Sequence, residues 1–397
     1  MAELLEAKGW AGYWSGSKPM KLPPPRAGLP VKVSSRSVEF SLWPVHKAQG
    51  GYSLSRKLFA SDPWPLIRQA ILEVQNKNGR EAALAFAEQS QDFFGAAARA
   101  HTAAAKPLLL YYSFLNLAKA LILVRSPTTD LDRAKHGLSE GLKPGGVELV
   151  DANLVARETN ATSVQVFALL LHACGGPKIG GQLTMEVPMI MRQIVTGHRL
   201  LVEADKACDE RFAAIEQAQV LHDPASLTTW LRFAIARTDL THLGLTQTQF
   251  LEQTALSTDW QLVSEPDPAD AHLLWIEPVQ PTPYRETFIG NTIPTLIESV
   301  QSNVWQTVTA VPPYRRYYLL AAPKAEHPAR LPQLLSAYAL FFYLGSITRY
   351  RPHHFDRIVD GPYGAFVQSF VHEQPNQLLF LFASEFVGRD VARPALA

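Results

Sequence analysis

From residue 62 onward, apolar residues recur at helical spacing. Asp62 reads as a helix N-cap with Pro63 at the first helical position, and Trp64, Ile67, Leu72 and Val74 supply an apolar face. A second helix is predicted over about 80–100, rich in Ala and carrying Phe86, Phe93 and Phe94. A third is predicted over about 107–124 (PLLLYYSFLNLAKALILV). Its apolar residues surround most of the helix, which places it at the centre of the molecule. Residues 126–146, with Pro127, Gly137, Gly141, Pro144 and Gly145-Gly146, read as loop.

Beyond 146 the pattern is ambiguous. Residues 147–150, 163–171 and 183–187 are readable as strands between turns, while 187–204 equally starts a helix after Pro188. Residues 226–238 read as a helix capped by Ser226. Short strands are predicted at 272–277 and 317–321, and helices at 333–350, 363–371 and 376–386. Before Asp62, the run Pro23-Pro24-Pro25 and frequent Gly and Ser suppress helix, leaving 38–43 (VEFSLW) as one candidate strand.

The expected fold is therefore mostly α, of the α+β class, with helical N-terminal and C-terminal parts packed together around a strand-containing middle insert. The expected units are an irregular basic arm (1–60), a helical N-terminal unit (61–135), a mixed α/β middle region (136–330) and a helical C-terminal unit (331–397).

Composition fits a folded chain, with 47% hydrophobic and 18% charged residues supporting a large core. A net charge of +1 does not announce a nucleic-acid binder, but its distribution is uneven. Residues 1–60 carry nine Lys/Arg against three Asp/Glu, 203–298 carry five against fifteen, and 310–360 carry seven against three. Basic segments of this kind bind anions or form solvated faces. Two cysteines, Cys174 and Cys208, are too few for a disulfide framework or a Cys-based zinc site and fit a reducing compartment. The first residues lack the basic start and apolar run of a signal peptide. The uncharged stretch 331–348 contains Pro332, Gln333, Ser336, Gly345 and Ser346, so a buried core helix is expected there and no membrane association. A cytoplasmic location is expected.

Four polar constellations stand out. Tyr112, Asn116 and Lys119 share one face of the third helix, where a Lys must find a partner or reach water. The alternatives are an anion contact and a snorkelling side chain. His136, beside Arg133 and Lys135 and followed by Gly137, suits acid–base chemistry on a phosphodiester, because nearby cations favour the neutral imidazole. An ordinary loop histidine looks the same in sequence. Arg349, Arg351, His353 and His354 lie in RYRPHHF, where they either contact phosphate or offset a helix dipole. Arg315 and Arg316 sit among tyrosines, a mixture that binds single-stranded nucleic acid or simply enters a strand. No phosphate-binding loop, H-E-x-x-H or G-x-S-x-G occurs, and no metal or cofactor is expected.

The run 110–120 (LYYSFLNLAKA), the His136-Gly137 pair, the segment 344–352 (LGSITRYRP) and Glu373-Gln374-Pro375 together resemble the YaaC-like family of bacterial proteins over roughly residues 60–390. The resemblance implies a cytosolic prokaryotic protein from a defence or stress locus. A weaker similarity is to the HEPN helical-bundle ribonucleases, through Arg237…His242 and Arg349…His354 at the Arg-x(4–6)-His spacing. Pro352 interrupts the second pair.

The leading expectation is a component of a defence or stress complex that binds a protein partner, RNA or DNA, with homo-oligomerisation open. The alternative is a metal-independent ribonuclease. There His136 would act as general base or acid, Lys119 and Arg349 would stabilise phosphate charge, and Arg351 would position the backbone. Tyr112, Asn116, Arg315, Arg316 and His354 complete the candidate binding set. A third reading is a nucleotide or small-anion sensor built on Lys119, His136 and Arg349.

Overall fold

The structure is a computed structural model that describes residues 22–48, 51–102, 104–160, 162–206, 208–256, 258–285, 289–308 and 315–394. Much of the predicted arm lies outside these residues. Its described part forms short strand pairs, Lys32–Val33 with Arg36–Ser37 and Val45–Ala48 with Gly51–Leu54. Residues 38–43 form no strand, only a bridge from Glu39 to Gln219.

Asp62 Oδ1 accepts the Trp64 N–H at 3.0 Å and starts the helix Trp64–Leu72. Asn76 caps the helix Lys77–Arg99 by accepting from Gly79 N at 2.8 Å. The helix Ala105–Arg125 follows and is apolar nearly all round. It is long and apolar enough to cross a membrane, yet most of it is buried inside the protein, as a core helix requires.

Four helices share one core: Lys77–Arg99, Ala105–Arg125, Gln333–Tyr350 and Gly364–Val387. Phe114 stacks on Phe382 at 6.0 Å between centroids and lies 5.2 Å from Phe341. Ser90 and Ser113 each donate to the other's backbone carbonyl, at 2.7 and 2.8 Å. Gly345 permits the close helix crossing, because a Cβ there would lie 3.0 Å from Tyr111 Cβ. The last helix runs through Pro375 where two helices were expected. Pro375 removes one backbone donor, but the buried apolar residues on both sides hold the helix continuous.

The mostly helical expectation is overturned. Helix takes 43% and strand 23% of the described residues, and the middle is a large antiparallel sheet of eight strands. The fold is mixed α+β. Along the sheet the order is Trp260–Val263, Leu273–Pro278, Thr228–Ala236, Phe212–Asp223, Arg315–Leu320 and Val304–Val308. Leu29–Pro30 and Thr282–Pro283 add short flanking pairs. Nor do the terminal helices simply clamp an insert. Their core also contains Leu154, Ala156 and Met185 from a separate three-stranded sheet, and Phe167 from the helix Val166–Ala173.

The helix expected at 226–238 is instead the strand Thr228–Ala236, followed by the short helix Arg237–Leu243. Its middle residues are buried on both faces, so the polar alternation that marks a strand is missing. Residues 147–150 form turns, and 163–171 mostly becomes helix, while Gln182–Glu186, Leu273–Pro278 and Arg315–Leu320 are strands near their expected positions.

Two glutamines join the sheet to the helical core. Gln333 Nε2 donates to the Gln306 carbonyl at 2.6 Å, and its Oε1 accepts the Gln306 N–H at 2.9 Å. Gln377 does the same for Val308, donating to its carbonyl at 2.6 Å and accepting its N–H at 2.5 Å. The edge strand Val304–Val308 thus finds its missing backbone partners in side-chain amides.

Candidate functional site

The three-stranded sheet, Leu138–Leu142 with Ala152–Arg157 and Gln182–Glu186, positions the site. Ala152, Leu154 and Ala156 point into the core, so the alternate residues Val155 and Arg157 point away. Just before the first strand lies His136-Gly137. Gly137 has φ +88°, and a Cβ there would come 2.9 Å from Phe167 N, so glycine is required on both counts. This tight corner sets His136 at the rim, its ring 5.3 Å from that of Phe342 on the helix Gln333–Tyr350.

Lys119 from the central helix and His136 line one recess of about 630 Å³. Lys135, Arg157, Glu158 and Gln165 line it as well. Three cations and one carboxylate make it basic. The Glu158 carboxylate is already engaged by the Gly181 N–H. Lys119 is half-buried, with Nζ 4.9 Å from the centre of the Phe86 ring, and burial pushes its ammonium pKa down. Burial also pushes the His136 pKa down, and the Arg349 cation adds to this. Its Nδ1 accepts a long hydrogen bond from Leu138 N at 3.4 Å, which leaves the proton of the neutral ring on Nε2.

Arg349 therefore belongs to the same neighbourhood. Its Nη1 donates to the Tyr112 hydroxyl at 2.8 Å, and its guanidinium lies over the Tyr350 ring. Asn116 faces elsewhere: it is buried and donates to Gln89 Oε1 at 2.8 Å, tying two helices together. Arg351 and His354 converge on carboxylates. Arg351 Nε donates to Glu148 Oε1 at 3.0 Å and its Nη2 lies 2.8 Å from Glu140 Oε1. His354 Nδ1 shares Glu148 Oε1 at 2.9 Å, and the Tyr343 hydroxyl donates to Glu148 Oε2. Burial raises the Glu148 pKa, but Tyr343, His354 and Arg351 outweigh it and hold the carboxyl below its usual range. This network fastens the 143–151 turn to the corner where Gln333–Tyr350 ends and Pro352–Val359 begins. The side chains of Arg315 and Arg316 lie outside the described residues.

Sequence reasoning missed Arg157 and the carboxylates Glu140 and Glu148. Arg157 was findable as the outward, polar end of an alternating strand. Glu148 sits in a turn and carries no sequence signal. Among the described residues no group of three His, Cys, Asp or Glu is placed to hold a metal.

Fold and site together define a mixed α+β protein with a basic recess between its central helix and a small sheet. The model of the YaaC-like Protein family matches residues 53–386, and the chain belongs to that family. No curated protein and no solved structure matches it. The HEPN similarity gains no support. Arg237 and His242 lie on one short helix where Arg237 bonds the Ala271 carbonyl, whereas Arg349 and His354 lie on different helices with different partners.

Proposed function

We propose that this chain is a binding protein whose Lys119–His136 recess takes the phosphate group of a nucleotide or of a nucleic-acid end. The observation that carries the reading is the meeting of Lys119, Lys135 and Arg157 around one recess with His136, its pKa pushed down by burial, at the rim. A neutral imidazole with its proton on Nε2 offers a donor to a phosphate oxygen, as the amines and guanidinium do. The same tautomer supports binding over base catalysis, since a general base needs a free lone pair facing its proton. Two isolated, buried cysteines support a cytoplasmic setting. A role in a prokaryotic defence or stress complex belongs to the same reading, and pull-down of partners tests it.

The direct test is a thermal-shift titration with inorganic phosphate, ATP and a short 5′-phosphorylated RNA. Binding to the native state raises Tm. The rise is expected in wild type and reduced in Lys119→Gln and Arg157→Gln. A rise left undiminished by both substitutions removes the recess from the proposal. RNA cleavage in EDTA by wild type and not by His136→Ala would instead establish the ribonuclease reading.

A further inference from the structure

A second basic recess lies where the two ends of the described chain meet. It has a volume of about 560 Å³ and is lined by Val33, Ser34, Arg36, His46, Ser53, Leu54, Arg56 and Arg389. No carboxylate lines it. Among the described residues, none of the three guanidiniums is paired with an acid. The nearby acids are engaged: Glu39 pairs with Lys57 at 3.1 Å, and Asp390 accepts from Ser41 and Tyr317. His46 Nδ1 is enclosed by protein and has no hydrogen-bond partner.

Three separate pieces of backbone bring these groups together. Ser34 and Ser35 both adopt positive φ, 51° and 66°, in the tight turn between Lys32–Val33 and Arg36–Ser37. Non-glycine residues rarely hold that conformation, and here it sets Ser34 and Arg36 at the recess. His46 and Ser53 face each other as cross-strand partners in the next hairpin. Arg389 follows the left-handed Gly388 that ends the last long helix, just before Val391–Ala392 pairs with Leu58–Phe59. Three like charges gathered with no counter-charge among the described residues repel one another, and a polyanion relieves that repulsion.

We infer that the Arg36–Arg56–Arg389 recess is a binding site for an oligophosphate chain, with the three guanidiniums and the Ser34 and Ser53 hydroxyls as its donors. Guanidinium forks match phosphate oxygens in pairs, which favours a ligand of several adjacent phosphates over a lone carboxylate. Its lining holds no Phe, Tyr or Trp to stack on a base, His46 being its one ring, so recognition falls on the phosphates. Arg36, His46 and Arg389 lie outside residues 53–386 while Ser53 and Arg56 lie within them, so the family match covers only part of the site.

The test is calorimetric titration of the full chain with inorganic tripolyphosphate and then ATP. Wild type is expected to bind both with similar affinity. Arg36→Gln and Arg389→Gln should each weaken binding by about tenfold, and Arg56→Gln comparably. Arg36 is exposed, so its replacement leaves the fold intact, which circular dichroism checks. Arg36→Lys keeps the charge but loses the fork and should bind more weakly than wild type. Lys119→Gln with Arg157→Gln removes binding at the other recess, and the tripolyphosphate binding that remains in that background should be weakened by adding Arg36→Gln. The inference is overturned if wild type binds no tripolyphosphate, if ATP binds while tripolyphosphate does not, or if Lys119→Gln with Arg157→Gln alone abolishes binding.

Discussion

Arg349 Nη1 donates to the Tyr112 hydroxyl at 2.8 Å, and through this bond the end of one core helix is pinned to the polar stripe of another. The same guanidinium helps hold the His136 pKa below its ordinary value. Arg349→Gln should therefore raise the His136 pKa, leaving it still below 6.5 because burial is the larger cause. An NMR titration of the imidazole reads this directly. An unchanged midpoint would show that Arg349 does not act on His136.

Gly137 carries the corner that presents His136. Replacement by Ala combines a positive φ with a Cβ 2.9 Å from Phe167 N. A loss of about 1–3 kcal/mol is expected in urea unfolding. Ligand binding should weaken even where the protein remains folded, because the rim histidine moves. A neutral substitution would mean that the corner relaxes freely.

Arg232 and Glu277 form a buried pair at 2.8 Å inside the large sheet, with side chains 7% and 1% exposed. Glu277 also accepts the Arg26 N–H at 3.0 Å, so it anchors the arm to the sheet. Glu277→Ala leaves a buried guanidinium unpaired and should cost about 3–5 kcal/mol. Replacing both residues with apolar ones of similar size should cost much less. Chemical denaturation of the two variants separates the outcomes, and equal losses would contradict the argument.

His198 is buried against Phe212, with Nε2 3.2 Å from Glu210 Oε1. Burial pushes its pKa down to about 4. The unfolded state, with a pKa near 6.5, then binds more protons than the folded state between these values. Its contribution is fully present above about pH 6.5 and is lost as the pH falls toward 4, to a total of about 3 kcal/mol. His198→Leu should flatten the fall in stability between pH 7 and pH 4. A wild-type slope retained in the variant would assign the effect to other groups.

The helices of the core were legible because their signals are local. Asp62, the alanine-rich run after residue 77 and the all-round apolar third helix each announce themselves within a few turns. Of the polar residues singled out in the sequence, Lys119 and His136 line one recess, Tyr112 bonds Arg349, and Asn116 turns to Gln89. The large sheet was not legible. Thr228–Ala236 is covered on both faces, so its sequence has no alternation to read. The two helices expected around Pro375 failed for the opposite reason, since the local rule was clear and burial overrode it. Glu148 shows a third kind of limit, because Arg351, His354 and Tyr343 are all far from it in sequence and meet only through the fold.

The glutamines at 333 and 377 have a wider meaning. A bare terminal strand offers alternate N–H and C=O groups to any extended chain that arrives, the usual start of sheet-to-sheet aggregation. Here the vacancies at Gln306 and Val308 are filled by the amides of Gln333 and Gln377, which imitate a neighbouring strand without being one. Because those amides stand on two different core helices, the sheet's growth is stopped at this end only while the helices stay docked. Solubility and tertiary packing are thereby one property in this protein, and a loosened helical core would release a sticky edge before the sheet itself came apart.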